Sequence, residues 1–244
     1  IGLGIPAEPL FRSSYRQNDS LWIVETEAMD QTVDYSPYEV IVLGMKPASS
    51  AAGFGPLKGY DKPMVLLKPW LLKQGVWSWG TAINTADLSI AVSDPAHPLF
   101  EGLDITDGQL PLFSQCNTNA VTAISEWMNT TGIETLASPV SNSAASTVAI
   151  LPAGTDCNGT VLPQRMIMIG VSEYSTAYLT EQGKQLIENA ILLQLGVQMP
   201  TKAISQQANE TTAPQKILQN GRIMILRNGK IYSISGQAVS GVGM

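Results

Sequence analysis

The chain has 244 residues, 44% of them apolar, and carries 20 acidic against 14 basic side chains for a formal charge of −6. That length allows one substantial core plus an appendage, and the scattered lysines and arginines leave no electrostatic footprint for a nucleic acid. No apolar run approaches the ~20 residues needed to cross a bilayer, and two cysteines with a single histidine, in no metal-ligand spacing, exclude a zinc constellation.

The chain opens on Ile1 rather than Met, which reads as a fragment or a mature chain. Residues 1–20 mix Gly, Pro, Ser and Arg without periodicity and predict an extended lead-in. Strands are predicted at 21–24 and at 39–44, the second an apolar run closed by Gly44, with a turn at Asp34, Tyr35, Ser36 and Pro37 between them. Residues 46–60 are rich in Ala, Ser, Gly and Pro, as a loop or a poor short helix would be. A third strand at 63–67 should stop near Lys68 because Pro69 has no N–H to offer a ladder.

Residues 88–92 alternate as a strand does, and two prolines flank His97 in a rigid turn that leads to Leu99 and Phe100 in a short helical turn. Short strands follow at 109–113, 121–124, 134–137 and 147–151, separated by Asn, Thr, Gly and Ser turns. A turn-rich loop over 152–162 delivers the chain to the run Met166, Ile167, Met168 and Ile169, which suits a strand covered on both faces. Thr180 is placed to cap a helix with Glu181 in its first turn, and Leu186, Ile187, Ala190 and Ile191 mark one face. Gly196 stands where a left-handed C-cap belongs. Residues 200–215 are polar and lack aromatics, as a linker does. Two strand-like runs joined by Asn228 and Gly229 then predict a C-terminal hairpin within 216–244. The main body, 21–199, reads as an α/β domain.

The segments 38–44, 94–103, 165–170 and 180–196 together resemble the class I glutamine amidotransferase-like superfamily. The His97-Pro98 pair with Gly102 is most similar to its trehalose-utilisation, ThuA-like branch. The resemblance covers roughly residues 20–197. It implies a flavodoxin-like, mainly parallel sheet with helices on both faces. Those enzymes carry a cysteine at the strand-to-helix turn after the third strand, with a partner His and Glu after the last strand. This chain has Lys68, Pro69 and Trp70 at the first place and Glu173 without a histidine at the second. A thiolate mechanism needs nucleophile and base together, so glutaminase activity is not expected. Residues 215–239 resemble the sorting segments of proteins exported by type IX secretion or a related route. That implies an exported protein, periplasmic, cell-surface or extracellular, and a secretion or surface-assembly partner for the hairpin.

In α/β folds ligands gather at the C-terminal ends of the strands, which singles out Lys46, Lys68, Trp70, Glu173 and Tyr174, with Trp77 and Trp79 beside them. Aromatic faces stack on sugars and charged groups hydrogen-bond hydroxyls, so a small molecule or glycan is the expected ligand. The three tryptophans have a second reading as core residues. Lys68 and Glu173 could equally form a salt bridge that closes the strand ends. Glu173, Lys68 and His97 are the candidates for a sugar-processing hydrolase, and His97 between prolines also reads as a structural residue. A surface-assembly module is the third reading. No cofactor or metal is expected. Cys116 and Cys157 form either one disulfide or two free thiols.

Overall fold

A computed structural model describes residues 34–45, 48–116 and 118–197, with the strand segments 215–219, 222–227 and 230–233. The chain divides into two compact units, Ile1–Met199 and Pro200–Met244. In chain order the first contains β1 (Ile41–Leu43), β2 (Met64–Leu66), β3 (Gly80–Thr85), β4 (Ser89–Val92) and β5 (Gln109–Pro111). These are followed by β6 (Val121–Trp127), β7 (Glu134–Pro139), β8 (Val148–Leu151), β9 (Asp156–Cys157), β10 (Thr160–Val161), β11 (Met166–Ile169) and α1 (Glu181–Leu195). Short 3₁₀ turns stand at Ala52–Phe54, Pro69–Leu72, Pro98–Phe100 and Thr176–Tyr178.

Seven strands pair in the order β1-β2-β11-β8-β7-β4-β5. β2 lies parallel to both β1 and β11, with Met64 opposite Ile41 and Met166. The other four pairings are antiparallel. The sheet is therefore mixed, and the parallel pairing predicted for most of it is confined to β1, β2 and β11. The physical reason is that an apolar run reports burial on both faces and says nothing of direction. Connection length does: β7 and β8 are joined by residues 140–147, too few for the crossover that a parallel pair requires.

Alternate residues of these strands supply two separate cores. Val65, Leu67, Ile167, Ile169, Val148 and Ile150 face Leu186, Ile187 and Ala190 of α1, together with Leu99 and Phe100. Met64, Leu66, Met166, Met168, Ala149 and Leu151 face the other way, against Phe54, Leu57, Leu71, Leu72, Trp77 and Trp79. The second face is covered, among the described residues, by 3₁₀ turns and by the antiparallel pair β3 and β6. A stretch as rich in Gly, Ser and Pro as 48–60 forms only one such turn, since each of these residues costs helix stability.

α1 begins and ends as its sequence dictates. Thr180 Oγ1 accepts from the Gly183 N–H at 3.0 Å, Glu181 lies in the first turn, and Gly196 takes the left-handed conformation with φ 68°. The helix lies close to the chain after β5, where a Cβ on Gly183 would stand 2.7 Å from the Leu112 carbonyl oxygen. Its one fully buried amide, Asn189, donates to the Leu99 and Glu101 carbonyls at 3.0 and 2.9 Å. The turn at Asp34 forms around its carboxylate, which accepts from the Ser36 N–H; that bond holds its acidity stronger than ordinary.

The second unit contains β12 (Gln215–Gln219), β13 (Arg222–Arg227) and β14 (Lys230–Ser233) in one antiparallel sheet. β13 and β14 pair up to Arg227 opposite Lys230, flanking the Asn228-Gly229 position. β12 is a strand more than the predicted hairpin. The predicted lead-in, the predicted strand at 21–24, Lys46, and residues 200–214 of the predicted linker lie outside the described residues. No helix of the described residues is long and apolar enough to cross a membrane.

Candidate functional site

Because β1, β2 and β11 run in parallel, the residues that follow them emerge on one edge of the sheet. Met45 follows β1, Lys68 follows β2, and Glu173 follows β11. Lys68 is the residue before the 3₁₀ turn Pro69–Leu72, with φ −123° and ψ 79°, so the chain bends there because Pro69 cannot extend the ladder. Its side chain is 7% exposed, and its Nζ donates to the Met45 carbonyl at 2.5 Å and to Glu173 Oε2 at 3.2 Å. A buried ammonium costs several kcal/mol unless it is paired and hydrogen-bonded, and these two contacts meet that demand. Glu173 is 41% exposed, so one partner of the pair reaches solvent. Its loop is held by the Ser175 hydroxyl, which donates to the Asn119 carbonyl.

An open cleft of about 310 Å³ includes this pair in its lining, together with Ser49, Ser50, Trp70, Lys73, Asn84 and Tyr174. Four of the sequence-predicted residues, Lys68, Trp70, Glu173 and Tyr174, therefore come together. Trp70 is half-buried and Tyr174 is exposed.

Trp77 and Trp79 do not reach the cleft. They are 1% and 0% exposed in the second core, with ring centroids 4.9 Å apart. The Trp77 indole N–H donates to the Phe54 carbonyl at 3.1 Å, which fixes it as a packing residue. Their reading as ligand contacts is corrected to core packing: two large rings after a 3₁₀ turn fall back onto the apolar sheet face, the greatest burial available to them.

His97 is also placed elsewhere. It follows β4, which runs opposite to β11 through the antiparallel pairs β11-β8, β8-β7 and β7-β4, so it stands at the edge of the sheet away from Lys68 and Glu173. Its Nδ1 accepts from the Leu99 N–H at 3.1 Å and caps the turn Pro98–Phe100. Its candidacy as an acid or base beside Glu173 is corrected by that topology. As the only histidine in the chain, it leaves the cleft serines without an imidazole base.

Lys73, Asn84, Ser49 and Ser50 line the cleft and escaped the sequence reading. The spacing of Trp70 and Lys73, one 3₁₀ turn apart, could have pointed to Lys73. Asn84 lies on β3, a strand whose mixed polarity hides it. Both cysteines are free thiols. Cys157 is fully buried and its thiol is pushed up to about 12, first by burial and then by the Asp156 charge, with Lys58 opposing. Among the described residues no group of three or more His, Cys, Asp or Glu side chains is arranged to hold a metal ion. No protein-family model matches the chain, and no curated protein shows significant sequence similarity to it.

Proposed function

We propose that the first unit is an amidotransferase-like domain of flavodoxin-like descent that has lost thiol chemistry and binds a small hydroxylated molecule, a sugar or glycan, in the strand-end cleft. The observation that carries this reading is the convergence of a buried lysine, a half-exposed glutamate and two accessible aromatics on one cleft at the ends of parallel strands. Lys68 stands at a strand-to-turn corner, where the resemblance puts the nucleophile, and Glu173 follows the last strand, where it puts the base. A lysine already bonded to a carbonyl and a carboxylate is a binding group there. Of its three N–H donors two are taken, and Glu173 Oε1 has no protein partner among the described residues, so both can meet ligand hydroxyls.

The hydrolase reading is weaker, because glycoside cleavage needs two carboxyl groups about the scissile bond and the described residues of the cleft lining supply one, Glu173. The resemblance of the tail supports export and a secretion or surface-assembly partner for the second unit, with the first unit as its cargo.

The test is a thermal-shift screen of the full chain against mono- and oligosaccharides. A cognate sugar at about 100 times its Kd should raise Tm by roughly 5–10 °C, and Glu173→Ala should remove the shift. A panel in which no sugar stabilises the chain would reject glycan binding.

A further inference from the structure

The charges of the cleft do not balance. Two lysines, Lys68 and Lys73, face one glutamate among the described lining residues, a surplus of one positive charge in a chain whose formal charge is −6. Glu173 is committed to Lys68 at 3.2 Å. Lys73 has no carboxylate within ion-pair distance among the described residues, and its ammonium lies over the Trp70 ring, 5.5 Å from the centroid. Both belong to one short turn: Trp70 sits inside Pro69–Leu72 and Lys73 closes it. That turn is packed down by Leu71 and Leu72, which are fully buried, so the cation is presented from a fixed base. Asn84 lines the same cleft; its Oδ1 accepts the Thr122 hydroxyl at 2.8 Å, which leaves the Asn84 amide N–H groups without a protein partner among the described residues.

An unneutralised ammonium with an amide donor on the same cleft is the pairing that a carboxylate oxygen seeks. Resting on the reading of this cleft as a sugar site, we propose that its ligand is an acidic saccharide, a uronic acid or a glycan containing one. Lys73 and Asn84 take the carboxylate, Lys68 and Glu173 take ring hydroxyls, and Tyr174 lies against the sugar. The match is to a single negative charge. A phosphate ester carries nearly two at neutral pH and would set its surplus beside the Glu173 carboxylate.

Calorimetric titration of the full chain separates these cases. Glucuronate, galacturonate and their oligomers are compared with glucose, galactose and their oligomers, and with glucose 6-phosphate. The acidic sugars should bind about tenfold more tightly than the neutral ones, and the preference should shrink as salt rises from about 50 mM to about 500 mM. Lys73→Gln should abolish the preference while neutral sugars still bind, and Lys73→Arg should keep it, which distinguishes a lost charge from a damaged turn. Equal binding of neutral and acidic sugars would overturn this inference and leave the cleft a glycan site. Tighter binding of the phosphate ester would overturn the carboxylate assignment. Binding of no sugar at all would overturn both the inference and the reading it rests on.

Discussion

The sheet has two halves made from similar apolar runs, and only one of them carries a site. In the half formed by β1, β2 and β11 the strands share a direction, so the three segments that follow them meet at one edge, and Lys68 bonds residues from both neighbours. In the half formed by β8, β7, β4 and β5 the direction alternates, so successive loops leave by opposite edges. Loop side chains there serve the loops themselves. Asp87 holds the turn at Ser141, accepting from its N–H and its hydroxyl, and His97 caps the turn it precedes. Strand direction, more than strand composition, decides where polar groups can be concentrated.

The sharpest way to break the contrast is at Gly170, directly after β11, where the two halves and β6 press together. A Cβ there would stand 1.6 Å from the Thr122 carbonyl oxygen, which is backbone and cannot swing away. Gly170→Ala should cost at least about 3 kcal/mol or prevent folding, read as the midpoint of urea unfolding. At Gly44, the matching glycine after β1, an added methyl group would meet nothing within 4 Å. Gly44→Ala should change stability by less than about 1 kcal/mol.

The tryptophans separate scaffold from site. Trp77→Ala should cost about 3–5 kcal/mol through the cavity left in the second core, whether or not a ligand is present. Trp70→Ala, at a half-buried position over the cleft, should lose less than half as much stability and yet weaken sugar binding. Comparable unfolding midpoints for the two variants would remove the distinction between core and cleft rings.

The smallest effect is chemical. Burial raises the Cys157 thiol above its unfolded value, so its protonated form is favoured in the fold. That contribution is complete below the unfolded value near 9 and is lost as pH rises toward about 12. At neutral pH Cys157 should resist alkylation until the chain unfolds, whereas half-buried Cys116 reacts first. Mass spectrometry of iodoacetamide adducts with and without denaturant should find one label and then two; rapid double labelling of the native chain would contradict the burial of Cys157.

How far the sequence predicts this structure follows the same physics. The caps of α1, the strand after Pro163, the turn beyond His97 and the position of Lys68 beside Glu173 all depend on local chemistry or on a strand end, and the residues announce them. Three things do not depend on local chemistry. β3 is half-polar and bulged between Thr81 and Ala82, so it offers no clean alternation. The direction of β8 is set by loop length and pairing. The fates of Trp70, Trp77 and Trp79 turn on which way a short chain segment folds back, and an aromatic side chain reads alike in a core and in a cleft.

α1 is tied to both halves, and at both ends. At its start the Thr180 hydroxyl donates to the carbonyl of Pro111, the last residue of β5, and the Thr180 N–H donates to the Leu112 carbonyl. At its end Gln194 donates to the carbonyls of Met64 and Arg165, at the entrances of β2 and β11, while the Arg165 guanidinium donates to Leu193. The helix thus spans the sheet from its antiparallel edge to its parallel centre like a clasp. Neither half can open far without releasing it, so slow amide exchange in the two halves should be lost in one cooperative step, with the cleft drawing its rigidity from strands that do not line it.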